Sequence, residues 1–140
     1  MKFPANQRCW QLILAAMFVF LALIAFWPTP VDQPASGQLA IVLQFVHSHG
    51  VPGWFNYKFV EASANIALFF PLGFVSSLAF TRKRLWQLGA FSLLVSGSIE
   101  LGQLLFLHNR FASLSDVVMN TVGATIGALL ATTLKRPQDP

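Results

Sequence analysis

The stretch SIELGQLLFLHNRFASLSD, residues 98–116, joins two long apolar segments and carries polar groups into both of them. Glu100 and Gln103 precede the join, Arg110 lies within it, and Asp116 follows it. A charged group at the centre of a bilayer costs about 2.5–3.5 kcal/mol, and less near the interface, so such groups normally face a bundle interior. The stretch therefore predicts the end of one membrane helix, a short turn and the start of the next, with polar side chains directed inward.

Composition supports a membrane location. Of the 140 residues, 55% are hydrophobic and only 10% are charged, whereas soluble domains carry about 25% charged residues. A small soluble domain leaves too much of its surface in water to hide so much apolar area. The formal net charge is +4, but the basic residues cluster beside apolar segments, so we expect no nucleic-acid partner. Cys9 is the single cysteine, which excludes an intramolecular disulfide.

Four segments are long and apolar enough to cross the hydrocarbon core, which takes about 20 residues. We expect an all-α membrane protein with one domain over residues 1–140. The first segment has a basic start, but no small-x-small cleavage site precedes Trp27, so we interpret it as a retained helix and not a signal peptide. The predicted spans are roughly 10–27, 59–80, 85–107 and 114–134.

The basic residues predict the orientation. With a cytoplasmic amino terminus, all nine Lys and Arg residues except Lys58 and Arg110 would lie on the inside, as the positive-inside rule requires. Both termini are then cytoplasmic. Residues 28–58 form an outer-face loop, and its apolar run at 38–46 is too short to cross, so we expect a short interfacial or re-entrant segment there.

Polar residues recur on three spans near the predicted outer face. Glu61 and Asn65 are four residues apart on the second span and share a face. A stripe through Ser92 and Ser96 on the third span continues to Glu100 and Gln103, and the fourth span begins with a similar stripe. We predict a polar pocket open to the outer face, with the first span packed outside it because that span has no polar stripe. The candidate ligand-binding residues are Glu61, Asn65, Glu100, Gln103, Arg110, Asp116 and Asn120.

Small residues predict where helices approach closely. Gly123 and Gly127 form a small-xxx-small pattern on the fourth span, and the same face could also support a homo-oligomer. Pro71 lies inside the second span and removes one backbone hydrogen bond. We expect a bend there that splays the outer half of the helix and widens the pocket.

Three ordered blocks resemble the VanZ-like family of small membrane proteins. They are NIALFFPLGF at 65–74, SIELGQ at 98–103, and Arg110 followed by SDVVMNTVGA at 115–124. The resemblance covers a core of roughly 61–131. It implies a multi-span protein of the bacterial cytoplasmic membrane. The member that gives the family its name is associated with low-level resistance to the glycopeptide teicoplanin, so a link to resistance is an expectation that the resemblance alone carries.

One departure from the family pattern concerns the residues before Asp116. Several relatives have an additional acidic residue there, where this chain has ASLS at 112–115. A function that needs two adjacent acids in this loop is therefore not expected of this chain.

Two classes of function remain open, beside a purely structural role in which the polar groups bond to one another at about 0.6 kcal/mol per bond. The first is a non-enzymatic envelope protein whose pocket binds an anionic amphiphile, such as a lipid-linked precursor or a lipid-like drug, with Arg110 holding its phosphate or carboxylate. The alternative is a membrane-embedded hydrolase or transferase using Glu100 and Asp116 as acid and base. The sequence offers no nucleophile or metal set, so we assign no catalytic residue, metal or cofactor. His47 and His49 have no further His or Cys nearby that could complete a metal site. The expected partners of the protein are membrane lipids.

Overall fold

The computed structural model describes residues 6–27, 33–107 and 113–135, and these contain five α-helices and no strand. Four helices are long and apolar enough to cross a membrane. The fold is therefore all-helical with four candidate spans, as predicted, and the helix bounds lie close to the predicted ones. The helices are α1 (Gln7–Ala25), α2 (Gln33–Ser48), α3 (Tyr57–Ala79), α4 (Leu85–Phe106) and α5 (Leu114–Lys135).

Side chains at the helix starts satisfy backbone N–H groups that lack a partner within the helix. The Asn56 side-chain oxygen accepts a hydrogen bond from Phe59 N at 3.1 Å at the start of α3. At the start of α4, Gln87 Oε1 accepts one from Arg84 N at 2.9 Å. Ser113 precedes α5, and its hydroxyl accepts one from Asp116 N at 3.3 Å. These caps explain why the apolar segments begin as helices where they do.

The four long helices run alternately up and down, which gives the bundle two distinct ends. At one end, Gln7 Nε2 donates to Ala79 O at 3.0 Å, and Lys135 Nζ donates to Ser77 O. We call this the Lys135 end. At the opposite end α1 and α4 finish while α3 and α5 begin, and we call it the Glu100 end.

The most intimate helix pair is α3 with α5. A Cβ atom on Gly127 would overlap the Phe70 carbonyl oxygen, and one on Gly123 would overlap the Ile66 carbonyl oxygen. Gly73 lies in the same way against the Ala124 backbone. Glycine is required at these positions because the two backbones touch. The Gly123 and Gly127 face is thus used inside the chain, and a homo-oligomer stays a prediction.

The helix α3 continues through Pro71 from Tyr57 to Ala79. Pro71 itself is exposed, so its ring lies on the outside of the bundle, away from the α5 contact. Whether it splays the helix and widens a pocket stays a hypothesis.

The helix α2 occupies the segment expected to be short and non-crossing. Its 16 residues correspond to about 24 Å at 1.5 Å per residue, less than the roughly 30 Å of the hydrocarbon core. Ile41, Val42 and Phe45 are mostly exposed. At the end of the helix, His47 Nε2 donates to Phe55 O at 2.9 Å, and His49 Nδ1 donates to Phe45 O at 2.8 Å. The two histidines thus hold the turn into α3, and the position of α2 relative to the bilayer stays a prediction.

Candidate functional site

A cavity of about 130 Å³ lies among α1, α3, α4 and α5 toward the Glu100 end of the bundle. We call it the Glu100 cavity. Its polar lining comes from three helices: Asn65 of α3, Glu100 and Gln103 of α4, and Asp116 and Asn120 of α5. Apolar side chains such as Leu68, Phe69 and Ile99 supply the rest of the lining, so the polar groups meet in a small, partly open space.

The polar stripe of α4 faces this interior. Ser92, Ser96, Glu100 and Gln103 are all buried, with Glu100 only 8% exposed. Glu100 Oε2 accepts a hydrogen bond from Ser113 N at 2.7 Å. Because Ser113 precedes the first turn of α5, the carboxylate also lies near the positive end of that helix dipole. The α4 helix therefore fixes the start of α5.

Two amide groups in the cavity are incompletely bonded. Asn120 is 5% exposed and its Nδ2 donates to Ser96 Oγ at 2.9 Å. Its Oδ1 atom is buried with no hydrogen-bond partner among the described residues, and the same holds for Asn65 Nδ2. A buried polar atom without a partner costs about 1–3 kcal/mol. Such atoms in a cavity call for a specific explanation, such as a bound polar group.

The first helix contributes to the cavity, which corrects the expectation that it packs outside. Leu21, Ile24 and Ala25 line the space. Gln103 Nε2 donates to Ala25 O at 2.9 Å. This carbonyl is one of the last four of α1. Such carbonyls receive no hydrogen bond from an N–H group of their own helix, so they need a donor from outside it. The absence of a polar stripe on α1 was therefore misleading, since its backbone supplies the polar contact.

Comparison with known proteins gives the family. The VanZ/LLP1 family model matches residues 10–135, which is most of the chain. The chain belongs to the VanZ/LLP1 family. The resemblance predicted from the three sequence blocks is thereby confirmed. No curated protein and no solved structure matches this VanZ/LLP1 protein significantly.

Five of the seven candidate residues of this VanZ/LLP1 protein line the same cavity. Glu61 is the exception among the described residues: it is exposed and does not belong to the lining. Its position four residues from Asn65 puts it on a similar face, but one turn nearer the helix start, where the bundle no longer encloses it. Arg110 lies outside the described residues. A ligand-binding role stays a prediction for all seven.

Sequence reasoning missed four participants of the site in this VanZ/LLP1 protein. Ser113 bonds to Glu100 through its backbone, and Ala25 bonds to Gln103 through its carbonyl. Leu21 and Ile24 supply apolar walls. Only the pattern Ser113-x-x-Asp116, which is typical of a helix start, gave a local signal. The others depend on which helix lies opposite.

The size of the cavity restricts what it could accept. Pockets that enclose a whole small molecule usually measure about 300–1,000 Å³, so 130 Å³ suits several waters or one small polar group. A hydroxyl, amide, carboxylate or phosphate oxygen would fit the described lining, whereas an entire drug or lipid would not.

Proposed function

We propose that this VanZ/LLP1 protein is a non-enzymatic protein of the bacterial cell envelope whose Glu100 cavity receives the polar head of an anionic amphiphile. The observation that carries the proposal is the pair of buried, unsatisfied amide atoms, Asn65 Nδ2 and Asn120 Oδ1, in one cavity. One is a donor and the other an acceptor, so together they suit a hydroxyl or an amide on the ligand.

Arg110 provides the anionic selectivity in this proposal. It lies between α4 and α5, close in sequence to both Glu100 and Asp116. The cavity itself presents two carboxylates, which would repel an anion, so in this proposal the Arg110 guanidinium holds the phosphate or carboxylate of the ligand. The ligand would then be a lipid-linked envelope precursor or a lipid-like drug whose anionic group lies next to a hydroxyl or amide.

The proposed location is the bacterial cytoplasmic membrane with both termini inside. Arg8, Arg82, Lys83 and Arg84 lie at or beside the Lys135 end, in keeping with the positive-inside rule. The Glu100 end would face outward, where envelope precursors and glycopeptides act. A contribution to teicoplanin resistance is the cellular consequence that we propose to test.

Binding can be tested with palmitoyl lysophosphatidylglycerol, which has a single acyl chain and a head group in which a phosphate lies next to hydroxyls. We expect purified protein to bind it in a nonionic detergent, as measured by native mass spectrometry, and Arg110→Ala and Asn120→Leu each to weaken binding at least tenfold. The matched control is Gln44→Leu, which removes an exposed amide from α2. If these variants bind as the wild type does while remaining folded, the cavity is structural.

A cellular test complements the binding measurement. Deletion should sensitise the bacterium to envelope stress or to teicoplanin, and the Arg110→Ala and Asn120→Leu alleles should fail to restore growth. The Gln44→Leu allele should restore it. If all three alleles restored growth fully, neither Arg110 nor the cavity would be needed for the envelope role of the protein.

A second candidate function rests on Glu100 and Asp116, which line the same cavity. Two carboxylates in different environments can act as general acid and general base, so a hydrolase or transferase acting on lipid-linked substrates is the alternative. Turnover of such a substrate by purified protein, abolished by Glu100→Gln with binding retained, would favour this alternative over simple binding.

A further inference from the structure

A second, apolar space lies beside the Glu100 cavity. It is a groove of about 320 Å³ between α1 and α4, with walls that include Phe18, Ala22 and Phe26 from α1 and Leu94 and Ser98 from α4. Ala22 and Ser98 are exposed, and Leu94 is 70% exposed. The groove therefore faces the surroundings of the bundle, which for a membrane-spanning helix pair are lipid chains.

The groove and the Glu100 cavity share two wall residues. Leu21 and Ile99 line both spaces. Leu21 is 4% exposed and Ile99 is half-buried, and the polar and the apolar space adjoin at these two side chains. A molecule with a polar head and a hydrocarbon chain could place one part in each space.

Aromatic contacts bound the groove at each end. Phe18 packs edge-on against Phe91, with ring centroids 5.9 Å apart. At the Glu100 end, Phe26 lies over Gly102, where an added Cβ would come within 2.7 Å of Phe26 Cζ. The distance along α1 from Phe18 to Phe26 is about 12 Å at 1.5 Å per residue. This is most of the roughly 15 Å depth of one leaflet, taken as half of the hydrocarbon core.

The direction of the groove matches the orientation of a lipid. It starts beside the Glu100 cavity and extends toward the middle of the spans, as a lipid chain does from its head group. The polar cavity alone, at about 130 Å³, is too small for an amphiphile, whereas the two spaces together separate the head from the chain.

We infer that the ligand of this protein is a long-chain amphiphile bound from the side, with its head in the Glu100 cavity and one hydrocarbon chain in the groove between α1 and α4. This inference rests on the proposed function and adds the chain site and the lateral approach. Chain length then becomes a determinant of affinity, which a head-only site would not require.

The experiment compares palmitoyl with hexanoyl lysophosphatidylglycerol, which share one head group. We expect wild-type protein to prefer the palmitoyl probe at least tenfold, measured by native mass spectrometry in one nonionic detergent. Ala22→Trp fills the groove from α1 and should remove most of this preference. Leu23→Trp is the matched control, because Leu23 is 60% exposed but does not line the groove, and it should keep the preference.

A second variant guards against a folding defect in the first. Ser98→Phe fills the same groove from α4 and should also lose the chain-length preference. A diazirine near the end of the palmitoyl chain should crosslink to groove residues in the wild type and not in Ala22→Trp. The chain site would be overturned if the Ala22→Trp and Ser98→Phe proteins kept the wild-type preference for the palmitoyl probe, as the Leu23→Trp protein should.

The outcomes separate this inference from the proposed function. If Asn120→Leu weakens both probes at least tenfold while the groove variants change neither, the head site stands and the chain site fails. If Asn120→Leu changes the binding of neither probe, the proposed head site fails and this inference fails with it, even where the groove variants alter the chain-length preference.

Discussion

Glu100 Oε2 accepts a hydrogen bond from the backbone N–H of Ser113 at 2.7 Å, which ties the third membrane helix to the start of the fourth. The bond joins a buried carboxylate to the residue that caps α5. Glu100 therefore holds the start of α5 in addition to lining the cavity, so a substitution of Glu100 affects both the stability of the fold and the cavity.

Replacing Glu100 tests this structural task. Glu100→Leu removes a charge-assisted hydrogen bond, which contributes about 1.5–3 kcal/mol, and we expect thermal unfolding in detergent at a clearly lower temperature. Glu100→Gln keeps a neutral acceptor and should cost about half as much, since charge-assisted bonds are roughly twice as strong as neutral ones. A Glu100→Gln variant as stable as the wild type would show that the charge contributes nothing to the bond.

The contact between α3 and α5 gives a prediction with a built-in control. Gly127→Ala places a methyl group against the Phe70 carbonyl, and such overpacking costs about 1–3 kcal/mol. Gly97→Ala is the same change on α4, where an added Cβ meets no heavy atom within 4 Å. We expect it to stabilise by up to about 1 kcal/mol, because alanine is the better helix former. Similar unfolding temperatures for the two variants would contradict the helix packing described above.

The bond between Asn120 Nδ2 and Ser96 Oγ, 2.9 Å long, can be measured by a double-mutant cycle. Ser96→Ala, Asn120→Ala and the double variant should give a coupling energy near the membrane-protein average of about 0.6 kcal/mol. The measurement is the free energy of unfolding in detergent or bicelles. A coupling energy of zero would mean that the Asn120 amide is held by something other than Ser96.

The single cysteine tests the predicted orientation. Cys9 is exposed near the start of α1. A membrane-impermeant maleimide should therefore fail to label it in intact spheroplasts and label it after permeabilisation. In the Cys9→Ser, Gly53→Cys variant, labelling should occur without permeabilisation, because Gly53 precedes α3 at the opposite end. The reverse pattern would place both termini outside.

Much of the architecture could be predicted from local sequence. Each long helix is an apolar segment bounded by polar or basic residues, because the hydrocarbon core sets the span length. The burial of Ser92, Ser96, Glu100 and Gln103 was predictable as well, since their spacing puts them on one face. Glu61 does not line the cavity although it lies four residues from Asn65, because helical periodicity gives the face of a residue but not the depth to which neighbours enclose it.

What the sequence by itself determined is the set of spans, the VanZ-like blocks and the polar stripes on α4 and α5. What only the tertiary structure decided is which partners meet those stripes. Gln103 donates to the carbonyl of Ala25 at the end of α1, Glu100 accepts from a backbone N–H at the start of the following helix, and Asn65 shares a cavity with Asn120. Backbone groups carry no sequence signature, and their availability depends on where a helix ends against its neighbours. For that reason, the apolar first helix proved to be a wall of the site.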